Sequence, residues 1–226
     1  GVRDVGRGFR PDVFARTLAE ANVDAITVFA RCNLGFAYYP TKLGTVHPGL
    51  ARRDLLGPMV AACHRRGIRV AAYFNGGISH EEALRHREWA KVTKDGHVYR
   101  RLDIGYVLRQ MCLNSAYGDH LLGMIREVLD AYPVDGLFLD CFDLAPCYGL
   151  ECLEAMARRK LDPGDDAAAA DFARLATVRF LARVRALCRR LGREISLCFN
   201  SMPYRLQSRH IELEILPTSA RWGYDA

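Results

Sequence analysis

Five short apolar runs punctuate the chain: "DAITVFA" (24–30), "IRVAAYFN" (68–75), "DGLFLD" (135–140), "EISLCFN" (194–200) and "HIELEILP" (210–217). Each is of strand length, and amphipathic segments of helical length lie among them. Residues 11–22 place Val13, Phe14, Leu18 and Ala21 at helical spacing behind Pro11, which suits a first turn. "RRDLLGPMVAACHRRG" (52–67) reads as a helix stopped by Gly67, and residues 116–132 as another. Segment 165–191 carries apolar residues at Phe172, Leu175, Val178, Phe180, Leu181, Val184 and Leu187 and predicts a helix. Strands alternating with helices predict a parallel α/β sheet, and runs apolar at every position predict burial on both faces.

Two architectures satisfy that pattern, an open doubly wound sheet and a TIM-like (β/α)8 barrel. The first requires a glycine fingerprint after the first strand, and "ARCNLGFAYYP" does not supply GxGxxG. The loops after the strands are instead rich in Asn, Tyr, Asp and Glu, as at the catalytic mouth of a barrel. The expectation is a single α/β barrel domain over 1–226, incomplete because five strands do not close a barrel. The irregular stretch 76–113 contains "REWAKVTKDGHVYRR", whose Asp95-Gly96 pair predicts a hairpin excursion.

Charge and composition narrow the partners. The formal net charge of +6 comes from scattered arginines near expected helix C-termini, such as Arg65, Arg158 and Arg189, where cations complement the helix dipole. There is no run of five or six like charges and no basic stripe interleaved with aromatics, so nucleic acid is not an expected partner. No apolar stretch reaches the length of a membrane span, and "GVRDVGRGFRP" has no apolar signal core. Most of the eight cysteines sit inside apolar patterns, as Cys63, Cys188 and Cys198 do, which suits a reducing, cytoplasmic setting.

Chemistry concentrates at two strands. Asp140 ends a run of three large apolar residues, Leu137, Phe138 and Leu139. A carboxylate there is either a catalyst at a barrel mouth or a capped, salt-bridged strand terminus. In "HIELEILP", alternation puts His210, Glu212 and Glu214 on one face and Ile211, Leu213 and Ile215 on the other. An acid on one strand end and a nucleophile on another are what retaining glycoside hydrolysis requires, the two carboxyls about 5–5.5 Å apart. Asp140 as nucleophile and Glu214 as acid/base fit those roles, with Glu212 and His210 contacting the sugar.

Aromatic and amide side chains at strand ends extend the candidate pocket. Phe36, Tyr38, Tyr73 and Trp222 offer faces for a pyranose ring, and Asn33, Asn75, Asn114 and Asn200 offer hydrogen bonds to hydroxyls, although Asn75, Asn114 and Asn200 are equally placed as turn formers. No cofactor and no metal are expected. Cys141, Cys147 and Cys152 miss the CxxC spacing of a zinc site. A cation held by Asp140, Asp143, His210 and Glu212 is the weaker alternative, that of a metal-dependent hydrolase or lyase.

Five stretches together resemble a known family: "DAITVFARCNLGFAYYPTKLGTVHPGL", "DLLGPMVAACHRRGIRVAAYF", "MCLNSAYGDHLL", "VDGLFLDCFDLAPCYGLEC" and "HIELEILPTSARWGYD". They look like the hypothetical glycosyl hydrolase 6 barrels, often joined to a β-galactosidase-like trimerisation domain, and the first and fourth are similar to the α-L-fucosidase barrel. The resemblance implies a carbohydrate substrate, a nucleophile at Asp140, and a homo-oligomer formed through a domain outside this chain. It also implies that the five strands are the second to sixth of eight, lacking the first and the last two. Fucosidase-like relatives carry adjacent histidines before the Gly-aromatic pair, where this chain has Asn33 and Leu34 before Gly35 and Phe36. Leu34 cannot hydrogen-bond a hydroxyl. A non-catalytic, carbohydrate-binding barrel is therefore the rival expectation.

Overall fold

In the computed structural model, residues 3–99, 108–192 and 194–200 are described. Helix α1 (Pro11–Glu20) leads into β1 (Ala25–Arg31), followed by two-residue strands β2 (Phe36–Ala37) and β3 (Thr45–Val46). Then come α2 (Leu56–His64), β4 (Arg69–Asn75), β5 (Ile78–Ser79), the short α3 (Glu81–Arg85), a 3-10 turn at Arg87–Trp89, and β6 (Arg109–Gln110). The chain continues through α4 (Ala116–Ala131), β7 (Gly136–Asp140), α5 (Leu150–Arg158), α6 (Asp166–Arg189) and β8 (Ser196–Phe199). Four of the five sequence-predicted strands are present. The fifth, 210–217, lies outside the described residues.

The main sheet has the order β3-β2-β1-β4-β7-β8, and β1, β4, β7 and β8 run parallel, as the alternating pattern requires. Val28, Val70, Ala72, Phe74, Leu137, Leu139 and Phe199 point to one face, where the helices cover them. From α4, Leu121, Ile125 and Val128 pack onto that face at helical spacing, and from α6 Leu181 and Val184 do so. Burial of each such side chain stabilises the fold by about 1.5–3 kcal/mol. The start of each long helix is fixed locally. Ser115 caps α4 by accepting from the Tyr117 N–H, and Asp165 caps α6 by accepting from Ala167 and Ala168.

The opposite face is where the structure departs from the expectation of two-sided burial. Phe29, Tyr73, Phe138 and Cys198 lie in lateral register across the four parallel strands. None of them is fully buried, and Phe29 is 52 % exposed. Among the described residues no helix covers this face. Apolar residues on both faces were legible in the sequence; what shields the second face was not.

A β-bulge interrupts the pairing of β1 with β4 between Phe29 and Arg31 and brings Arg31 level with Phe74. Bulges re-aim side chains, and this one turns Arg31 into a fully buried position. The hairpin expected around Asp95-Gly96 is present, with Val92 bridging Val98 and Gly96 in the left-handed region at φ 84°. Among the described residues, no helix is long and apolar enough to cross a membrane.

Candidate active site

Asp140 ends β7 directly beside Asn75 at the end of β4, the two being register partners. Alternation puts both on the uncovered face of the sheet, together with Tyr73 and Phe138. Three donors converge on the Asp140 carboxylate. The Tyr73 hydroxyl donates to Oδ2 at 2.5 Å, and the Asn200 amide and the Cys141 backbone N–H donate to Oδ1 at 3.0 and 2.6 Å. Donors on both oxygens fix the plane of the carboxylate, which is half-buried rather than sealed from a ligand. The Tyr73 phenol is pushed well above its ordinary range, first by burial and then by the hydrogen bond and negative charge of Asp140. It therefore stays a donor at physiological pH.

The backbone around this carboxylate is unusually constrained. Cys141, the next residue, adopts φ 59°, a left-handed conformation that costs a non-glycine residue roughly 1–3 kcal/mol. The Gly76-Gly77 pair after β4 lies flush against it. A Cβ on Gly77 would fall 1.6 Å from the Cys141 carbonyl oxygen, and one on Gly76 would fall 2.7 Å from the Phe142 ring. Gly76 also donates its N–H to the Asp140 carbonyl at 2.9 Å. Two glycines are thus what lets the strand-end loops of β4 and β7 close on each other.

A buried ion pair holds the β4 side of the site. Arg31 makes a two-pronged contact with Glu82, Nη2 to Oε2 at 2.8 Å and Nε to Oε1 at 3.3 Å, and donates through Nη1 to the Asn75 carbonyl. The Tyr117 hydroxyl donates to the Gly76 carbonyl at 3.1 Å. Burial alone would raise the Glu82 carboxyl, but the Arg31 charge and the hydrogen bonds of His120, Arg31 and Ser79 outweigh it and hold the carboxyl down at about 2. Sequence reasoning missed this network because Arg31 and Glu82 are far apart in the chain and the bulge that joins them leaves no local pattern.

The other candidate residues divide. Tyr73, Asn75 and Asn200 gather around Asp140 as described. Phe36 and Tyr38 flank His47, with ring centroids 5.3 and 5.5 Å away. Through Phe29, 6.1 Å from Tyr38 and 4.6 Å from Tyr73, they extend an aromatic strip to Tyr73 and Phe138. Asn33 is exposed in the turn between β1 and β2. Asn114 is tied elsewhere, donating to the Glu151 carbonyl at 3.3 Å and toward Cys152 Sγ at 3.7 Å. His210, Glu212, Glu214 and Trp222 lie outside the described residues.

The family model for hypothetical glycosyl hydrolase 6 matches residues 12–141, more than half of the 226-residue chain and up to the residue after Asp140. The chain belongs to the hypothetical glycosyl hydrolase 6 family. Among solved structures, it is similar to α-L-fucosidase isoenzyme 2 from Paenibacillus thiaminolyticus, with 30% identity and a TM-score of 0.87. That match covers 99% of this chain and 35% of the fucosidase, so the chain spans about a third of that protein's length. A hypothetical protein from Ruminiclostridium thermocellum matches at 13% identity and TM-score 0.57, covering 87% of this chain and 93% of that one. The GH36 α-galactosidase AgaA from Geobacillus stearothermophilus matches at 13% identity and TM-score 0.54, covering 82% and 24%. At such identities the likeness is one of fold. The fucosidase and galactosidase neighbours of this glycosyl hydrolase 6 chain have TIM-like folds. No curated protein matches it.

Proposed function

We propose that this chain is the catalytic part of a glycoside hydrolase in which Asp140 is the nucleophile. The observation that carries the proposal is the held carboxylate: Asp140 receives Tyr73, Asn200 and the Cys141 N–H at the C-terminal ends of adjacent parallel strands. That is the edge at which barrel enzymes place their chemistry. The uncovered face bearing Phe29, Tyr73 and Phe138 is then the interior of a (β/α)8 barrel of which residues 1–226 form one part.

Asp140 attacks the anomeric carbon, forming a glycosyl ester as the glycosidic oxygen leaves. Glu214, from the strand expected at 210–217, gives that oxygen its proton and then takes one from the water that hydrolyses the ester. Retention requires the Asp140 and Glu214 carboxyls about 5–5.5 Å apart; roughly 6.5–9.5 Å would mean inversion. Tyr73 keeps Asp140 oriented through both steps, and the aromatic strip offers stacking faces to the sugar. The fucosidase likeness makes an α-L-fucoside the first substrate to assay. An Asp140→Asn variant of the complete protein should lose about a thousandfold or more in kcat on an aryl α-L-fucoside. Wild-type turnover by that variant would remove the nucleophile assignment. Sugar binding in calorimetry, without turnover of any glycoside by the native protein, would favour a binding barrel instead.

A further inference from the structure

Away from Asp140, three cysteines from two distant segments meet. Cys112 precedes α4, Cys147 lies in the loop after β7, and Cys152 is in the first turn of α5. All three are buried, and their sulfur atoms lie within 4.8 Å of one another, Cys112 and Cys152 at 3.4 Å. They form a small core of their own with Met156, Ala169 and Phe172, separate from the main core that takes up Cys63 and Cys188 singly. A metal with Zn–S bonds of about 2.3 Å sets tetrahedral sulfurs about 3.8 Å apart. The cluster is already near that spacing.

We propose that Cys112, Cys147 and Cys152 are ligands of a structural zinc ion. A cavity of about 20 Å³ adjoins the three sulfurs and is also lined by Lys91, Asn114 and Asp143. That is room for a single water or ion. Asp143 Oδ2, buried without a hydrogen-bond partner and 3.8 Å from Lys91 Nζ, lies outside the cluster of three sulfurs, so a water would complete the tetrahedron. Soft thiolates select zinc over the hard divalent cations. Each coordinating thiol gives up its proton to solvent on binding. The Gly149 N–H donates to the Cys147 sulfur at 3.4 Å, which favours its thiolate.

The sequence spacing of Cys141, Cys147 and Cys152 argued against zinc; in the fold it is Cys112, distant in the chain, that joins Cys147 and Cys152. The consequence of such an ion is mechanical. It would clip the loop that follows Asp140 to the segment preceding α4. Lys91 grips the same loop through the Asp143 and Ala145 carbonyls, each at 2.9 Å.

The test uses the complete protein, purified under reducing conditions without chelator. Elemental analysis should find about one zinc per chain, unchanged in Cys63→Ala and lost in Cys147→Ser. Because Cys147→Ser can simply misfold, the native protein supplies a second measurement. After zinc is stripped and replaced by cobalt, thiolate-to-metal charge-transfer absorption should appear, and alkylation mapping should show Cys112, Cys147 and Cys152 protected. Native protein that is zinc-free, shows no such absorption and gains no Tm from added zinc would overturn the proposal. So would a Cys112–Cys152 disulfide in the protein as isolated.

Discussion

The Tyr73 hydroxyl donates to Asp140 Oδ2 at 2.5 Å, from a strand position two residues before Asn75, the register partner of Asp140. This diagonal contact between adjacent parallel strands sets the carboxylate's orientation. Tyr73→Phe removes the donor and leaves the ring. A hydrogen bond to a charged group contributes about 1.5–3 kcal/mol, so kcat on an aryl glycoside should fall about 10- to 150-fold. The same loss should lower Tm by about 3–12 °C. Steady-state kinetics and a melting curve on the same preparation check both halves.

Gly77→Ala places a Cβ where the Cys141 carbonyl oxygen now sits. The backbone must move, at a cost of about 1–3 kcal/mol or more, and the movement is transmitted to Asp140. The variant should melt lower and lose activity together. Gly8→Ala, where nothing lies within 4 Å of the new methyl, is the control and should leave Tm unchanged.

The Arg31–Glu82 pair gives the fold an acid-sensitive element. The Glu82 carboxyl is lowered from 4.5 unfolded to about 2 folded. A depressed carboxyl adds stability that is present above the unfolded value and is lost as pH falls toward the folded one. The window is therefore pH 4.5 down to about 2, with a contribution on the order of 3 kcal/mol. Denaturant titrations across that window should show stability falling with acid in the native protein and a flatter profile in Glu82→Gln. Either single truncation of this pair should cost about 3–5 kcal/mol, and replacing both by apolar residues should cost less than the sum.

Phe29 is half-exposed yet sits edge-on to Tyr73, with centroids 4.6 Å apart. If it stacks on sugar, Phe29→Ala should raise KM about 3- to 10-fold through loss of roughly 0.5–1.5 kcal/mol of ring contact. Tm should hold, because little of the ring is in the core. An unchanged KM with a lower Tm would make Phe29 a packing residue only.

How much of this was legible depended on whether a feature was local. The strands at 24–30, 68–75, 135–140 and 194–200 were legible because each is an unbroken apolar run, and helices α1, α2, α4 and α6 because apolar residues recur through segments of helical length between those runs. Strands β2, β3, β5 and β6 escaped notice because two residues carry no period. At the site, Asp140, Asn75 and Asn200 could be found because polar residues ending apolar runs are conspicuous. Tyr73 was singled out for its ring, and nothing in the local sequence foretold that its hydroxyl meets Asp140. Asn114 shared the same local pattern, yet the fold turns it toward Glu151 and Cys152. The Arg31 clamp depends on a bulge and a distant glutamate, and neither leaves a mark on the residues around it.

The most direct measurement of Asp140's role is covalent trapping. The complete protein is incubated with a 2-deoxy-2-fluoro glycosyl fluoride of the sugar it turns over, digested, and mapped by mass spectrometry. The glycosyl adduct should sit on the peptide containing Asp140 and be absent from Asp140→Asn. An adduct on any other carboxylate, in protein that still hydrolyses its substrate, would contradict the assignment of Asp140 as nucleophile.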